Sequence, residues 1–345
     1  PGQSVKVSYT PGIVTSADGG VLASFANQSV TNNVPAAMIG STEYTSLAGA
    51  LAAAAGADTI VLISDITYSN AIKADSKNVT IDLNGFDLTV SGVAEHALQA
   101  TKGCTLTITD KDDDGGSLTV HSSGSNKYAL FADSNSHIII AGTVSAVYSG
   151  GDNQGIIGAF AMGVNATIQV TGSVAGYTAG IYAINDAKIS VTGDVSGGYD
   201  GAYAAYEGSV DVTGNLSGSR ALVAEYSGIA AVQGNITGGA TGIYTNNING
   251  WVAPHVTVTG DVASTSGTAI DAGWAGDIEI TGNITGPVSV SGTDTSCPEV
   301  TVNGDITVSS GFGVSVFNGG MVTVNGRILG ASPYLKLDNL NIAQG

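Results

Sequence analysis

The chain has 345 residues, of which 50 are glycine and 11% are charged, and its net charge is −18, with 10 Lys and Arg against 28 Asp and Glu. That balance excludes a nucleic-acid binder, which needs cations to neutralise phosphates, and it repels anionic membranes and polysaccharides unless a metal bridges the charges. No apolar run reaches the length of a membrane span, so no membrane insertion is expected, and the chain opens at Pro1 without a leader, as a mature fragment would.

Residues 1–40 read as an irregular N-terminal extension holding a short β-hairpin. Val5, Val7 and Tyr9 alternate, Pro11-Gly12 is a turn, and Val21 to Phe25 offers a second strand. A parallel β-helix is expected over residues 41–345. It opens with a short helix at about residues 46–55. Thr45 or Ser46 caps this helix, Leu47, Ala50, Leu51 and Ala54 share one face, and Gly56 ends it. Such a helix is expected to cover the open end of the first coil and its unpaired strand edge. Strands are expected at Thr59 to Ile63, Val79 to Leu83, Cys104 to Ile108 and Leu118 to Val120.

From about residue 125 one phrase governs the chain. In Lys188-Ile-Ser-Val-Thr-Gly-Asp-Val-Ser-Gly197, the apolar Ile189 and Val191 alternate with small polar residues, and Gly193, Asp194 and Val195 follow. Its central glycines return at Gly142, Gly172, Gly193, Gly214, Gly234, Gly260, Gly282, Gly304 and Gly326, with spacings of 30, 21, 21, 20, 26, 22, 22 and 22. A fixed period of this size marks a solenoid, in which each repeat buries its apolar face only against its neighbours. A second apolar phrase precedes the first in each coil, as in Gly180-Ile-Tyr-Ala183 and Gly201-Ala-Tyr-Ala204. The coil is therefore strand, turn, strand, glycine corner, short strand and turn. The fold expected is all-β: a three-sided parallel β-helix of about 21–22 residues per coil with an N-terminal capping helix. Inward residues such as Ile181, Ile189, Val191 and Val195 form columns, each worth roughly 1.5–3 kcal/mol when buried.

Asp194, Asn215, Asn235, Asp261, Asn283 and Asp305 follow the corner glycine. Asn and Asp tolerate left-handed backbone and hydrogen-bond along a stack, so their recurrence reads as structural. Extra residues within Ala146 to Gly155, within Asn246 to His255 (including Trp251) and at Thr293 to Glu299 read as loops. Leu335, Leu337, Leu340 and Ile342 alternate and are expected to close the last coil. Cys104 alternates with Leu106 and Ile108 and reads as a buried thiol, too many coils from Cys297 for a disulfide.

Phe131, Phe160, Tyr182, Tyr203 and Tyr244 occupy one outward position on neighbouring coils, interrupted by Val223. Asp133, Asp186, Glu207 and Glu225 lie just beyond, and Tyr206 and Tyr226 add a second short row. Aromatic faces stack on sugar C–H surfaces while carboxylates accept hydroxyl hydrogen bonds. The ladder with Glu225 is thus a candidate site for a neutral glycan. The competing reading is that the rings stack on one another and shield the sheet. Asp110, Asp112 and Asp114 with Gly115 match the first half of a calcium loop, but His121 stands where the loop needs a bidentate Glu. A solvated acidic turn competes with Ca2+ there. Asp186 and Glu207 are the acid–base candidates, on the ground that neighbouring coils place them close. The two arginines, Arg220 and Arg327, show no evident carboxylate cluster, and the four histidines show no metal spacing. An ice-binding threonine face is set aside because its column runs Gln169, Ser190, Asp211, Ala231, Thr257, Glu279, Thr301 and Thr323, with two acids in it.

The opening Ser46-Leu-Ala-Gly-Ala-Leu51, Asp58-Thr-Ile-Val-Leu-Ile-Ser-Asp-Ile66 and Val79-Thr-Ile-Asp-Leu-Asn-Gly85 resembles the start of right-handed parallel β-helix proteins of the pectate-lyase-like superfamily. More narrowly it resembles the secreted or cell-surface, adhesin-like β-helix proteins of bacteria. The resemblance implies a right-handed helix over roughly residues 41–345 and an extracellular or bacterial cell-surface location. It leaves function open, because the superfamily holds lyases, hydrolases, adhesins and passive stalks. The expectation is a non-catalytic surface module, an adhesin or stalk, whose partner is a neutral glycan or a host or cell-surface protein. The rivals are a polysaccharide lyase or glycoside hydrolase and a purely structural spacer.

Overall fold

The computed structural model describes residues 5–10, 17, 19–21, 23–30, 34–93, 96–112, 115–122, 128–146, 156–247, 252–293, 297–330 and 335–338. The chain is an all-β parallel β-solenoid of about 11 turns. Three parallel ladders run along it. In a regular turn Lys188–Thr192 lies in the first, Val195–Gly197 in the second and Asp200–Ala205 in the third. The second and third merge into one sheet, because Leu216–Glu225 and Ile236–Asn246 run through both without a break.

Pairing follows the glycine period. Ile168, Ile189, Val210, Ala230, Val256, Ile278, Val300 and Val322 are Cα partners in succession along the first ladder. Val174, Val195, Leu216, Ile236, Val262, Ile284 and Ile306 do the same along the second. These side chains belong to one continuous core, with the half-buried Val322 packed against it. Period-2 alternation explains it, since every second residue of a strand faces the same way.

The corner between the first two ladders depends on glycine. φ runs from 139° to 157° at Gly142, Gly172, Gly193, Gly214, Gly234 and Gly260. A Cβ on Gly193 would stand 2.5 Å from the Gly172 carbonyl oxygen of the preceding turn. The residue after the glycine does not use the left-handed region, contrary to the expectation that Asn and Asp recur for that tolerance. They recur as acceptors. Asp194 Oδ1 accepts from the Asn215 amide at 2.8 Å, Asn215 from Asn235 at 3.2 Å and Asn235 from Asp261 at 3.0 Å. Asp261 then accepts from Asn283 at 2.7 Å, Asn283 from Asp305 at 3.0 Å and Asp305 from Arg327 at 2.8 Å.

At the N-terminal side the helix spans Leu47–Ala53, shorter than expected at both ends. Ser46 Oγ accepts from the Gly49 amide at 3.2 Å, and Leu47 and Ala50 are buried. Lys77 Nζ donates to the carbonyls of Leu51 (2.9 Å) and Ala54. A hairpin of Ala37–Ile39 and Thr42–Tyr44, not expected from the sequence, turns at Gly40 and pairs antiparallel with Thr59–Leu62. A separate hairpin joins Val5–Tyr9 to Phe25–Val30. Its second strand thus begins where the expected one, Val21 to Phe25, ends. Cys104 is buried and Cys297 exposed, both free thiols. Among the described residues no helix is long and apolar enough to cross a membrane. Asp114, Trp251, Leu340, Ile342 and loop residues 147–155 lie outside the described residues.

Candidate functional site

The third ladder places the aromatic residues in one column. Phe131, Phe160, Tyr182, Tyr203, Val223 and Tyr244 are successive Cα partners, and Asp271 follows Tyr244. The rings turn toward one another. Tyr182 and Tyr203 stack at 4.1 Å between centroids with 5° between planes, and Phe131 and Phe160 stack at 6.0 Å. Tyr128 joins from beside the column, 4.6 Å from Phe160, and His96 stacks on Tyr128 and Phe131 at 4.7 and 4.8 Å. Phe160 and Tyr203 are each only 9% exposed. Much of each ring face is therefore already occupied by a neighbouring ring, as in ordinary cross-strand aromatic packing.

A charged cluster sits beside this column. Asp200, which pairs in register with Arg220, takes two hydrogen bonds from it, from Nε at 2.8 Å and Nη2 at 3.1 Å. The Arg220 guanidinium lies over the Tyr199 ring at 4.7 Å and the Tyr244 ring at 5.5 Å. Tyr203 Oη donates to Glu225 Oε2 at 2.6 Å. Burial pushes the Asp200 carboxyl above its ordinary range although Arg220 pulls it down, and burial also raises Asp271. Burial, together with the hydrogen bond to Glu225, pushes the Tyr203 hydroxyl far up. Glu225 and Tyr203 are both candidates from the sequence, whereas Arg220, which shows no evident carboxylate cluster there, has Asp200 as its partner. The signal was present: Asp200 stands one repeat, 20 residues, before it.

The turn from the third ladder back to the first uses residues with positive φ. Asn135, Asn165, Asn185 and Asn318 hold φ of 58°, 58°, 58° and 49°. Asn adopts this region readily. Tyr206 (52°), Tyr226 (46°) and Trp274 (59°) also hold it, where a large side chain costs of order 1–3 kcal/mol. Tyr206 and Trp274 are exposed, and Tyr206 stacks on Tyr226 at 4.8 Å. At the other end of the third-ladder strands, Tyr177 is 45% and Tyr199 53% exposed. Exposed rings therefore bracket the third ladder at both ends.

Asp186 and Glu207 occupy adjacent turns and come together. A hydrogen bond to Asp186, reinforced by the repulsion between the two charges, raises the Glu207 carboxyl. Asp110 accepts from the Gly85 amide of the preceding turn at 3.2 Å and from the Gly116 amide of its own loop at 2.7 Å, while Asp112 is exposed. Among the described residues no three His, Cys, Asp or Glu side chains gather as metal ligands. Comparison with protein-family models, with curated proteins and with solved structures finds no match to this chain.

Proposed function

We propose that this chain is a non-catalytic surface module, of the adhesin or stalk kind, that binds a neutral glycan on its third-ladder side outside the cell. The reading takes the solenoid as a right-handed, three-sided β-helix like those of secreted bacterial proteins. In it the 47–53 helix and the 37–44 hairpin close the first turn. The observation that carries it is the set of exposed rings at the two ends of the third-ladder strands. Tyr206 and Trp274 are exposed yet hold left-handed backbone that Asn adopts at lower cost, which supports a role for the displayed ring there. A strand of about six residues separates the two rows of rings by roughly 17–20 Å. That span suits an extended chain of sugar rings better than one small molecule.

The acid–base alternative has less support. Glycosidase carboxyl pairs stand about 5–5.5 Å or 6.5–9.5 Å apart to flank the scissile bond. Asp186 and Glu207 are both exposed to solvent, whereas a glycosidase's general acid is raised by an apolar pocket. One observation favours a plain spacer: the Tyr182 and Tyr203 rings spend their faces on each other. An array of neutral and acidic glycans separates these readings. The glycan reading expects hits among neutral glycans that survive a calcium chelator, and none among acidic ones. Loss of every hit with chelator would move the site to Asp110 and Asp112. An array without neutral hits would leave the stalk.

A further inference from the structure

Tyr177 and Tyr199 stand on consecutive turns at the entry to the third ladder, and a groove of about 540 Å³ lies between them, completed by Gly176, Thr178 and Gly198. Its floor requires glycine. A Cβ at Gly176 would run into the Ala179 carbonyl, and one at Gly198 into the Tyr177 carbonyl, so no side chain can fill the floor. Tyr199 is held in place from the following turn. Arg220 lies against its ring, and Asp200 fixes Arg220 through two hydrogen bonds. Tyr199 N donates to the Thr178 carbonyl at 2.9 Å and Arg220 N to the Tyr199 carbonyl at 2.8 Å, which ties the three turns together. Among the described residues no lining residue is charged, and Asp200 neutralises Arg220.

We propose that this groove is a slot for one pyranose ring of a neutral glycan, with the sugar's apolar face on Tyr199 and Tyr177 at its edge. The proposal rests on the glycan-binding reading above and names its central contact. A ring wall held by Arg220 and a lining without charge among the described residues suit a ligand with one apolar face. A second groove, lined by Ser264, Thr265, Ser266, Thr285 and Thr307, lacks a ring. Its Ser264, Thr265 and Ser266 hydroxyls already donate to the Ala240 and Gly239 carbonyls.

Isothermal titration of the full chain with cellohexaose, maltohexaose, mannohexaose, xylohexaose and chitohexaose tests the slot. For any hexasaccharide that binds, Tyr199→Ala and Tyr177→Ala each weaken affinity at least tenfold, whereas Tyr199→Phe, which keeps the ring, stays within about threefold. Saturation-transfer NMR on the unaltered chain needs no variant to fold. Irradiating tyrosine ring protons transfers to the C–H protons on one face of a sugar residue. Binding that both alanine variants retain, or absence of that transfer, overturns the slot and leaves the glycan reading standing. Failure of all five hexasaccharides to bind the unaltered chain overturns both.

Discussion

Thr245 is the residue most at odds with its surroundings. It stands in an interior column of alanines, between Ala224 and Ala272, fully buried, and its hydroxyl has no hydrogen-bond partner. A buried hydroxyl in that state costs more than it contributes. Thr245→Val is expected to raise the midpoint of chemical denaturation by about 1 kcal/mol of stability. A lowered midpoint would show that the hydroxyl has a partner. Single residues also mark where the sequence was hardest to read. An aromatic residue carries no signal for positive φ, so Tyr206 and Tyr226 were legible as a row but not as strained turns. Ring exposure was equally hidden. Alternation says that Phe160 and Tyr203 face outward, but only the packing of neighbouring rings leaves them nine-tenths covered.

The elements were read better, because what makes them is local. Ile189 and Val191 alternate, Gly193 turns the corner, and both features recur at a spacing that pairing in register then fixes. The glycine column is doubly constrained, by its φ and by the carbonyl of the turn before. The hairpin at 37–44 escaped notice because two three-residue strands around Gly40 offer too little alternation to see. Asp200 with Arg220 escaped because the pair exists only once neighbouring turns are aligned. The corner column shows a finer design. Asp194, Asn215, Asn235, Asp261, Asn283, Asp305 and Arg327 stack in that order, so no two carboxylates are adjacent and the last carboxylate meets a cation at 2.7 Å. Asn283→Asp would set three carboxylates in a row at about 4.8 Å spacing, where like charges directly opposite destabilise a sheet. Its melting temperature should fall by about 2–4 °C at neutral pH. Protonation removes the repulsion, so the deficit should shrink as pH falls through the ordinary carboxylate range. A deficit unchanged by acid would mean that the lost Asn283 side-chain amide, not charge, is responsible.

For the whole molecule, repetition explains stability and leaves room for the proposed function. Each turn buries its apolar residues against its neighbours, so a single core runs the length of the solenoid and does not depend on any one side chain. That leaves the outer positions free to vary, and the third ladder uses them for rings while the first mixes threonine with acids. The excess of acidic groups keeps anionic partners away and leaves neutral ones unaffected. Native affinity electrophoresis tests the central claim most directly. The folded chain is run through gels containing galactomannan, xyloglucan or mixed-linkage glucan, and the polymer is then assayed for new reducing ends. The account predicts retarded migration in at least one gel with no new reducing ends. Migration equal to that in a plain gel for every polymer, or retardation accompanied by cleavage, would contradict it.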